Sequence, residues 1–297
     1  MELNEGVVNA GATEGAAQRA AGANWRAELV RPRVGPTLHF WSVEGFEFNH
    51  LTLWLNDLPP ELAGVRILHL TDLHLRSKWP RGLDPLIERV VAKPPHLILY
   101  GGDQAHNMHH LEPSFPHIER LIHALRPTHG SFAILGNHDG DLLAPKLREW
   151  GVPMIGHQMI EVSINGRPIE IIGYAGPDRA DIQVEKNRTY PQRRALVPRV
   201  VLSHYPDAIR IADKLKPDLY LAGHTHGGQI CLPGGVPLLK HDSLPRKLCR
   251  GLHNYKEICL FVSRGMGFSS PLQMRLFCPS EAVEITLERP AVESSSG

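Results

Sequence analysis

Seven side chains that could hold metal ions stand at the ends of short apolar runs. Asp72 and His74 close VRILHLTDLH, Asp103 closes LILYGGD, Asn137 follows AILG, His204 closes VVLSH, and His224 and His226 close LYLAGHTH. Carboxylates, imidazoles and an amide carbonyl together suit manganese, iron or zinc; a thiolate set would favour zinc, and an all-oxygen set magnesium or calcium. Two divalent ions roughly 3.5–4 Å apart can share one carboxylate and one hydroxide, which then attacks phosphorus in line while the ions clamp the phosphoryl oxygens. Asp103 is the natural bridge. A lone histidine among the 18 in this chain would be read as an ordinary surface or packed residue. Five strand ends that all carry ligand types beside glycines are a different matter.

Positioning these groups needs a sheet. Open α/β sheets bind ligands outside the carboxyl ends of their strands, where residues distant in sequence converge. The period of two along extended chain puts Asp72 with His74, and His224 with His226, on common sides, so each pair is expected to grip one ion. Gly101, Gly102, Gly136, Gly223 and Gly227 are expected to let the backbone turn sharply at these ends. Apolar runs alternate with helix-spaced segments: Val65–Leu70 then Leu83, Leu86, Ile87, Val90 and Val91; Leu97–Tyr100 then Ile118, Leu121, Ile122 and Leu125; Phe132–Leu135 then Leu142–Trp150. This repetition predicts a largely parallel sheet with helices over it. Leu38–Val43 and Phe46–Leu55 predict an opening hairpin. Met159–Ile164 and Pro168–Gly173 predict another around Asn165-Gly166, a pair suited to the positive φ angles of a type I′ turn. Further strands are expected at Val200–Leu202 and Leu219–Ala222, with a helix from Pro206 to Leu215 between them. Ile258–Ser263 and Ala282–Leu287 are read as strands of a second sheet, and Gly176–Pro198 as a long loop.

The 297 residues with 42% apolar content suffice for one large catalytic domain, expected over 37–290 between a flexible tail at 1–36 and a disordered tail at 291–297. With 32 basic against 31 acidic residues, nothing argues for a nucleic-acid partner. Cys231, Cys249, Cys259 and Cys278 are too far apart for a metal knuckle and too few for a disulfide scaffold, so buried reduced thiols are expected. No window approaches the ~20 apolar residues of a spanning helix, and no basic, apolar leader opens the chain. A cytoplasmic location is expected, with peripheral contact at the inner membrane as a variant.

In order and spacing, DLH, GGD, GNHD, SH and GHTH resemble the five signature blocks of the calcineurin-like metallophosphoesterase superfamily. GHTHGGQ followed by CLP, with SRGMGFSSPLQMRLFCPSE near the end, is similar to a bacterial branch that includes UDP-2,3-diacylglucosamine pyrophosphatases of lipid A synthesis and manganese-dependent phosphodiesterases. The resemblance implies a four-layer α/β/β/α sandwich of two mixed sheets flanked by helices. It also implies two divalent ions, manganese first: one held by Asp72, His74, Asp103 and His226, the other by Asp103, Asn137, His204 and His224. His138 would then face the substrate as proton donor or charge stabiliser, with Asp139 orienting its ring; Asp139 as a helix cap is the other reading.

Substrate-binding expectations fall on Gln104 and His106, in a polar loop where many relatives of this pattern are apolar, and on Arg264 and Arg275, whose guanidinium groups can pair with phosphate. Arg246 and Arg250 are further candidates. Met266, Phe268, Leu272, Met274, Leu276 and Phe277 either line an acyl-chain groove at a membrane surface or simply pack. The expected substrate is a phosphoester, first a nucleotide-linked lipid pyrophosphate such as UDP-2,3-diacylglucosamine, second a general phosphodiester such as a cyclic nucleotide or envelope polymer. A catalytically silent scaffold and a nuclease are the other classes; the intact ligand set speaks against the first and the neutral charge against the second.

Overall fold

The computed structural model describes residues 14–19, 23–31, 38–40, 45–174, 185–239, 242–269 and 273–291. Its strands, in chain order, begin with β1 (Glu14–Arg19), β2 (Trp25–Arg31), β3 (Leu38–Phe40), β4 (Phe46–Leu55), β5 (Val65–Leu70), β6 (Leu97–Tyr100) and β7 (Ser131–Ala133). They continue with β8 (Met159–Ile164), β9 (Arg167–Tyr174), β10 (Arg199–Ser203), β11 (Leu219–Ala222), β12 (Cys231–Leu232) and β13 (Val236–Pro237). The last four are β14 (Gly251–Tyr255), β15 (Ile258–Val262), β16 (Met274–Leu276) and β17 (Ser280–Glu288). The α-helices are α1 (Leu83–Ala92), α2 (Phe115–Ala124) and α3 (Leu143–Glu149).

Two mixed sheets form, one of seven strands in the order β1-β2-β4-β17-β5-β6-β7 and one of six in the order β14-β15-β11-β10-β9-β8. They face each other across one apolar layer: Leu29, Leu51, Ile67, Leu99 and Ile285 from the first meet Ile164, Ile171, Leu202, Leu221 and Phe261 from the second. The outer face of the first sheet is covered by α1, α2 and α3. Leu83, Leu86 and Val90 recur at helix spacing and are buried there with Ile118, Leu121, Leu143 and Leu147. The outer face of the second sheet is covered by the segment from Pro206 to Leu215 through Ala208, Ile209, Ala212 and Leu215. That segment is a 3-10 helix, ended by Lys216 at φ 47°. The result is the expected four-layer α/β/β/α arrangement, with a 3-10 helix in its fourth layer.

Sequence patterning located most elements but misassigned some partners. The Asn165-Gly166 hairpin forms as expected, with φ of 51° and 77° and β8 antiparallel to β9. The expected opening hairpin does not. β4 pairs antiparallel with β2 and parallel with β17, while β3 pairs with β16. The expected tail at 1–36 contains β1 and β2, which extend the first sheet and bury Trp25, Ala27 and Leu29. Residues 1–13, 32–37 and 292–297 of the expected tails lie outside the described residues, as does 175–184 of the predicted loop. Ala282–Leu287, assigned to the second sheet, is the centre of the first: β17 runs antiparallel to β5 and borders the parallel run of β5, β6 and β7. Among the described residues no helix is long and apolar enough to cross a membrane.

Candidate metal centre

The seven expected ligands converge just beyond the carboxyl ends of β5, β6, β7, β10 and β11. The loops after β5 and β6 are zipped together by backbone bonds, Asp72 N–H to Gly102 O, His74 N–H to Asp103 O and Leu75 N–H to Gln104 O, each 2.9 Å. Asp72, His74, Asp103, His224 and His226 have φ between 45° and 66°. They therefore lie past the regular strands in the left-handed region, where a non-glycine residue costs roughly 1–3 kcal/mol. This backbone, rather than a period of two, sets the grouping: Asp72 and His74 share a cluster, whereas His224 and His226 separate.

The first cluster is Asp72, His74, Asp103 and His226, all buried, with one ligand atom each within 4.8 Å of the others. His74 Nε2 and His226 Nε2 are 3.0 Å apart, and Asp103 Oδ2 and Asp72 Oδ1 lie 3.5 Å from the former and latter respectively. The second cluster gathers on Asn137 Oδ1, which is 3.1 Å from His204 Nε2 and 2.9 Å from His224 Nδ1. Asp103 Oδ2 is 3.4 Å from His204 Nε2 and so faces both clusters, while its Oδ1 accepts the His138 N–H at 2.8 Å.

Neighbouring groups fix these ligands. His204 Nδ1 donates to Gly101 O at 2.9 Å, which turns Nε2 toward the cluster. Thr71 Oγ1 donates to Asp72 Oδ2 at 2.8 Å, and the His224 N–H points at both Asp72 oxygens. The Tyr205 ring stands edge-on to His224, with centroids 4.5 Å apart. The glycines matter mainly for close approach: a Cβ on Gly136 would sit 2.2 Å from Asp103 Oδ1, and one on Gly223 2.3 Å from Asp72 Oδ2.

The electrostatics call for cations. Asp72 and Asp103 are buried, and their ion-pair partners among the described residues are histidines, not Lys or Arg. Burial and the neighbouring Asp103 charge push Asp72 up to about 6 against the pull of His204. Burial works against Asp103 ionising too, yet His204 and His74 hold it well below the carboxylate range; His204, despite burial, is drawn up to about 9 by Asp103. Burial pushes His74 and His226 far below the usual imidazole range, so both are neutral donors. Buried carboxylates short of positive charge beside neutral imidazoles and an amide oxygen fit two divalent cations.

His138 sits at the rim, its ring 4.7 Å from that of His74 and stacked 5.8 Å from that of His106. Its Nδ1 donates to the His106 carbonyl at 2.8 Å, leaving Nε2 available. Asp139 does not orient this ring and does not cap a helix. Its carboxylate accepts the Ala105 N–H at 2.9 Å and the Gly136 N–H at 3.0 Å, tying the β6 and β7 loops together. Burial and the nearby Asp103 charge raise it to about 7.

Three expected substrate contacts are corrected by their burial. Gln104 donates to Ile134 O at 3.2 Å beneath the site. Arg264 is buried against Glu281, at 2.8 Å, and Glu47; burial notwithstanding, Arg264 holds Glu281 down to about 2. Arg275 is fully buried and donates to the carbonyls of Gly267 at 2.6 Å and Arg264 at 2.7 Å, with Nη2 3.2 Å from His226 Nδ1. Neither arginine is free to meet phosphate, and Arg250 donates to Gly234 O. Only His106 of the four stays half-buried at the site. Sequence reasoning missed Arg275 as a positioning residue, together with Thr71 and Tyr205; the SRGMGF motif was a nearby signal, because Gly265 packs on the Asp72 side chain and Gly267 on the Asp72–Leu73 backbone. Arg275→Met is expected to strand several buried carbonyls, costing about 3 kcal/mol in thermal unfolding, and to loosen the ion held through His226 by about 10–100-fold. Metal titration checks the second effect; unchanged metal affinity would limit Arg275 to a packing role.

Of the two readings offered for Met266 and Phe268, packing is the one seen, in the apolar cluster that also holds residues of α1 and α2. Leu232, Val236, Leu238 and Leu239 are exposed on and after the β12–β13 hairpin that follows the GHTH loop, and Met108 and Leu142 are exposed in the loops after β6 and β7. All four cysteines are buried and reduced, as expected.

A family model described as calcineurin-like phosphoesterase matches residues 65–228, which contain all seven converging ligands. The phosphodiesterase YaeI of Escherichia coli (strain K12) is 29% identical over 236 residues, covering 76% of this chain and 83% of that protein. The UDP-2,3-diacylglucosamine pyrophosphatase LpxG of Chlamydia trachomatis is 24% identical over 272 residues, covering 71% and 81%. Among solved structures, a dimetal phosphatase from Danio rerio aligns over 75% of this chain and 99% of that one, with 9% identity and a TM-score of 0.43.

Proposed function

The chain belongs to the calcineurin-like phosphoesterase family and is a phosphoester hydrolase, and from that premise we propose that it works with two manganese ions held by the two clusters that share Asp103. The observation that carries this reading is the Asp103 carboxylate, with Oδ2 facing His74 at 3.5 Å and His204 at 3.4 Å and with no Lys or Arg to balance its charge. When bound, such ions supply an activated water and neutralise the phosphoryl oxygens.

The protein's own groups do the rest. Asp72 and Asp103, gripped by backbone N–H groups, hold fixed negative charge where the ions are needed, so little reorganisation is required as the reaction proceeds. His204, with its Nδ1–H committed to Gly101 O, aims Nε2 at the cluster, where an ion would take the place of the Nε2 proton that Asp103 favours. His138, anchored through Nδ1 on the His106 carbonyl, holds Nε2 at the rim, where it can give a proton to the departing oxygen.

The reading is tested by loading the protein with manganese, measuring bound metal, and assaying bis(p-nitrophenyl) phosphate. About two ions per chain and turnover that disappears with chelator are expected. Fewer than two ions and no turnover would favour a silent scaffold.

For substrate, the phosphodiester reading draws support from the similarity to YaeI. A lipid-linked pyrophosphate is the second reading. It is supported by the similarity to LpxG and by the exposed Leu232, Val236, Leu238 and Leu239, which lie in a stretch from Gly227 to Leu239 with no charged residue and are followed by exposed Arg246 and Lys247. An apolar hairpin flanked by cations suits peripheral contact with an anionic membrane surface, as expected of an enzyme working at the inner membrane from the cytoplasm.

A further inference from the structure

Beyond the rim of the candidate metal centre lies a cavity of about 270 Å³, lined by Leu75, Arg76, Ser77, His106, Asn107, His110, Pro113 and Ser114. Its most unusual occupant is Arg76. The side chain is partly buried, its Nη2 is closed off from solvent without a hydrogen-bond partner, and no carboxylate among the described residues pairs with it. The buried guanidinium groups of Arg264 and Arg275 nearby are held by carboxylates or by several carbonyls; among the described residues no such partner is seen for Arg76. An arginine that loses hydration and gains nothing in return is costly to keep unless something else completes it.

The surroundings point the same way. His106 Nδ1 is also buried without a hydrogen-bond partner. Pro113 and Ser114 place the start of α2, the positive end of its dipole, beside the same cavity. Among the described residues no carboxylate lines the cavity; Glu112, next to the lining residue Pro113, is exposed and 3.8 Å from His110. The cavity therefore presents fixed positive potential and unmet donors.

Its position gives this potential a role. His138 and His106 both pack against His74, with ring centroids 4.7 Å and 5.5 Å from it, and stack on each other at 5.8 Å; His106 and Arg76 line the same cavity. His138 is the group placed to meet the departing oxygen, so whatever is attached to that oxygen extends over His106 toward Arg76. We propose that this cavity binds the leaving phosphoryl group of a diphosphate-linked substrate, with Arg76 as its principal contact; the proposal rests on the hydrolase reading above. In such a reaction the water oxygen forms the new bond to one phosphorus. The bond from that phosphorus to the bridging oxygen breaks and leaves its electron pair on that oxygen. The two hydrogens of water are shared between two phosphomonoester products. The charge that develops on the leaving phosphate is what a guanidinium fork matches.

The experiment compares wild type with Arg76→Gln and Arg76→Lys, all manganese-loaded, with thermal melting as the check on folding. The ratio of kcat/KM for UDP-glucose to that for bis(p-nitrophenyl) phosphate should fall about 10–100-fold in Arg76→Gln, the range of one charge-assisted hydrogen bond, and recover in part in Arg76→Lys. Calorimetric affinity for α,β-methylene adenosine diphosphate should fall over the same range. An unchanged ratio, with both substrates losing equally, or an unchanged affinity overturns the subsite. If wild type turns over no phosphoester yet binds the methylene analogue through Arg76, the subsite stands and the hydrolase reading falls.

Discussion

Asp103→Asn is expected to lower turnover by at least about 10³-fold and to leave the protein with fewer than two ions. The substitution keeps an oxygen to accept the His138 N–H but replaces the negative oxygen that faces both clusters. A neutral amide cannot neutralise two cations, and each lost decade of rate corresponds to only ~1.4 kcal/mol of transition-state stabilisation, a small part of what a divalent ion supplies to a phosphoryl group. Melting curves give an independent reading. A ligand present at about a thousandfold excess over its dissociation constant stabilises the native state by about 4 kcal/mol, so manganese should raise the melting temperature of wild type and not of the variant. Without metal the difference should shrink, because among the described residues the buried Asp103 carboxylate is balanced by His74 and His204 and by no Lys or Arg. A variant that retains two ions and near-normal turnover would remove Asp103 from the bridging position.

His138→Ala should separate chemistry from metal binding. The ring lies at the rim, held by the His106 carbonyl, and its backbone N–H, not its side chain, supports Asp103. Alanine keeps that N–H. Both ions should stay, while kcat falls by about 10²–10⁴-fold, the range of a positioned acid or base. The loss should depend on the leaving group: an ester of an alkyl alcohol, which needs a proton, should suffer more than a p-nitrophenyl ester, which does not. If the variant instead empties one cluster, His138 is a ligand, and the grouping of His74, His106 and His138 within 4.8 Å acquires a different meaning. An equal loss for both leaving groups would mean that His138 stabilises charge without donating a proton.

The two variants probe neighbouring residues with different standing in the sequence. Asp103 and its six companions were legible because each ends an apolar run, and a strand that stops at a ligand-type residue beside glycine carries a strong local pattern. His138 was found only through its place in GNHD. Asp139 was found and given the wrong task, since whether a carboxylate meets a ring or two amides depends on how the β6 and β7 loops approach. Gln104, Arg264 and Arg275 failed as substrate contacts for the same reason. Their polarity is visible in the sequence, but the carbonyls and carboxylates that consume it come from positions 3 to 217 residues away for the two arginines, brought together by folds of the chain that no local pattern encodes. Arg76, in turn, gave no signal at all, because an unpaired guanidinium is recognised only when every potential partner can be seen to be elsewhere.

The sequence by itself determined the elements and the ligand types: the β-α alternation from β5 to α3, the Asn165-Gly166 turn, and seven donors suited to divalent metals. These depend on interactions within a few residues, apolar periodicity and the φ preferences of particular side chains, so they are written locally. Tertiary structure decided the pairing of β2 with β4, the insertion of β17 beside β5, the separation of His224 from His226, and which polar groups were spent on the protein itself. Strand order and buried hydrogen bonds are contests among distant segments for the same partners, and only the folded chain settles who wins them.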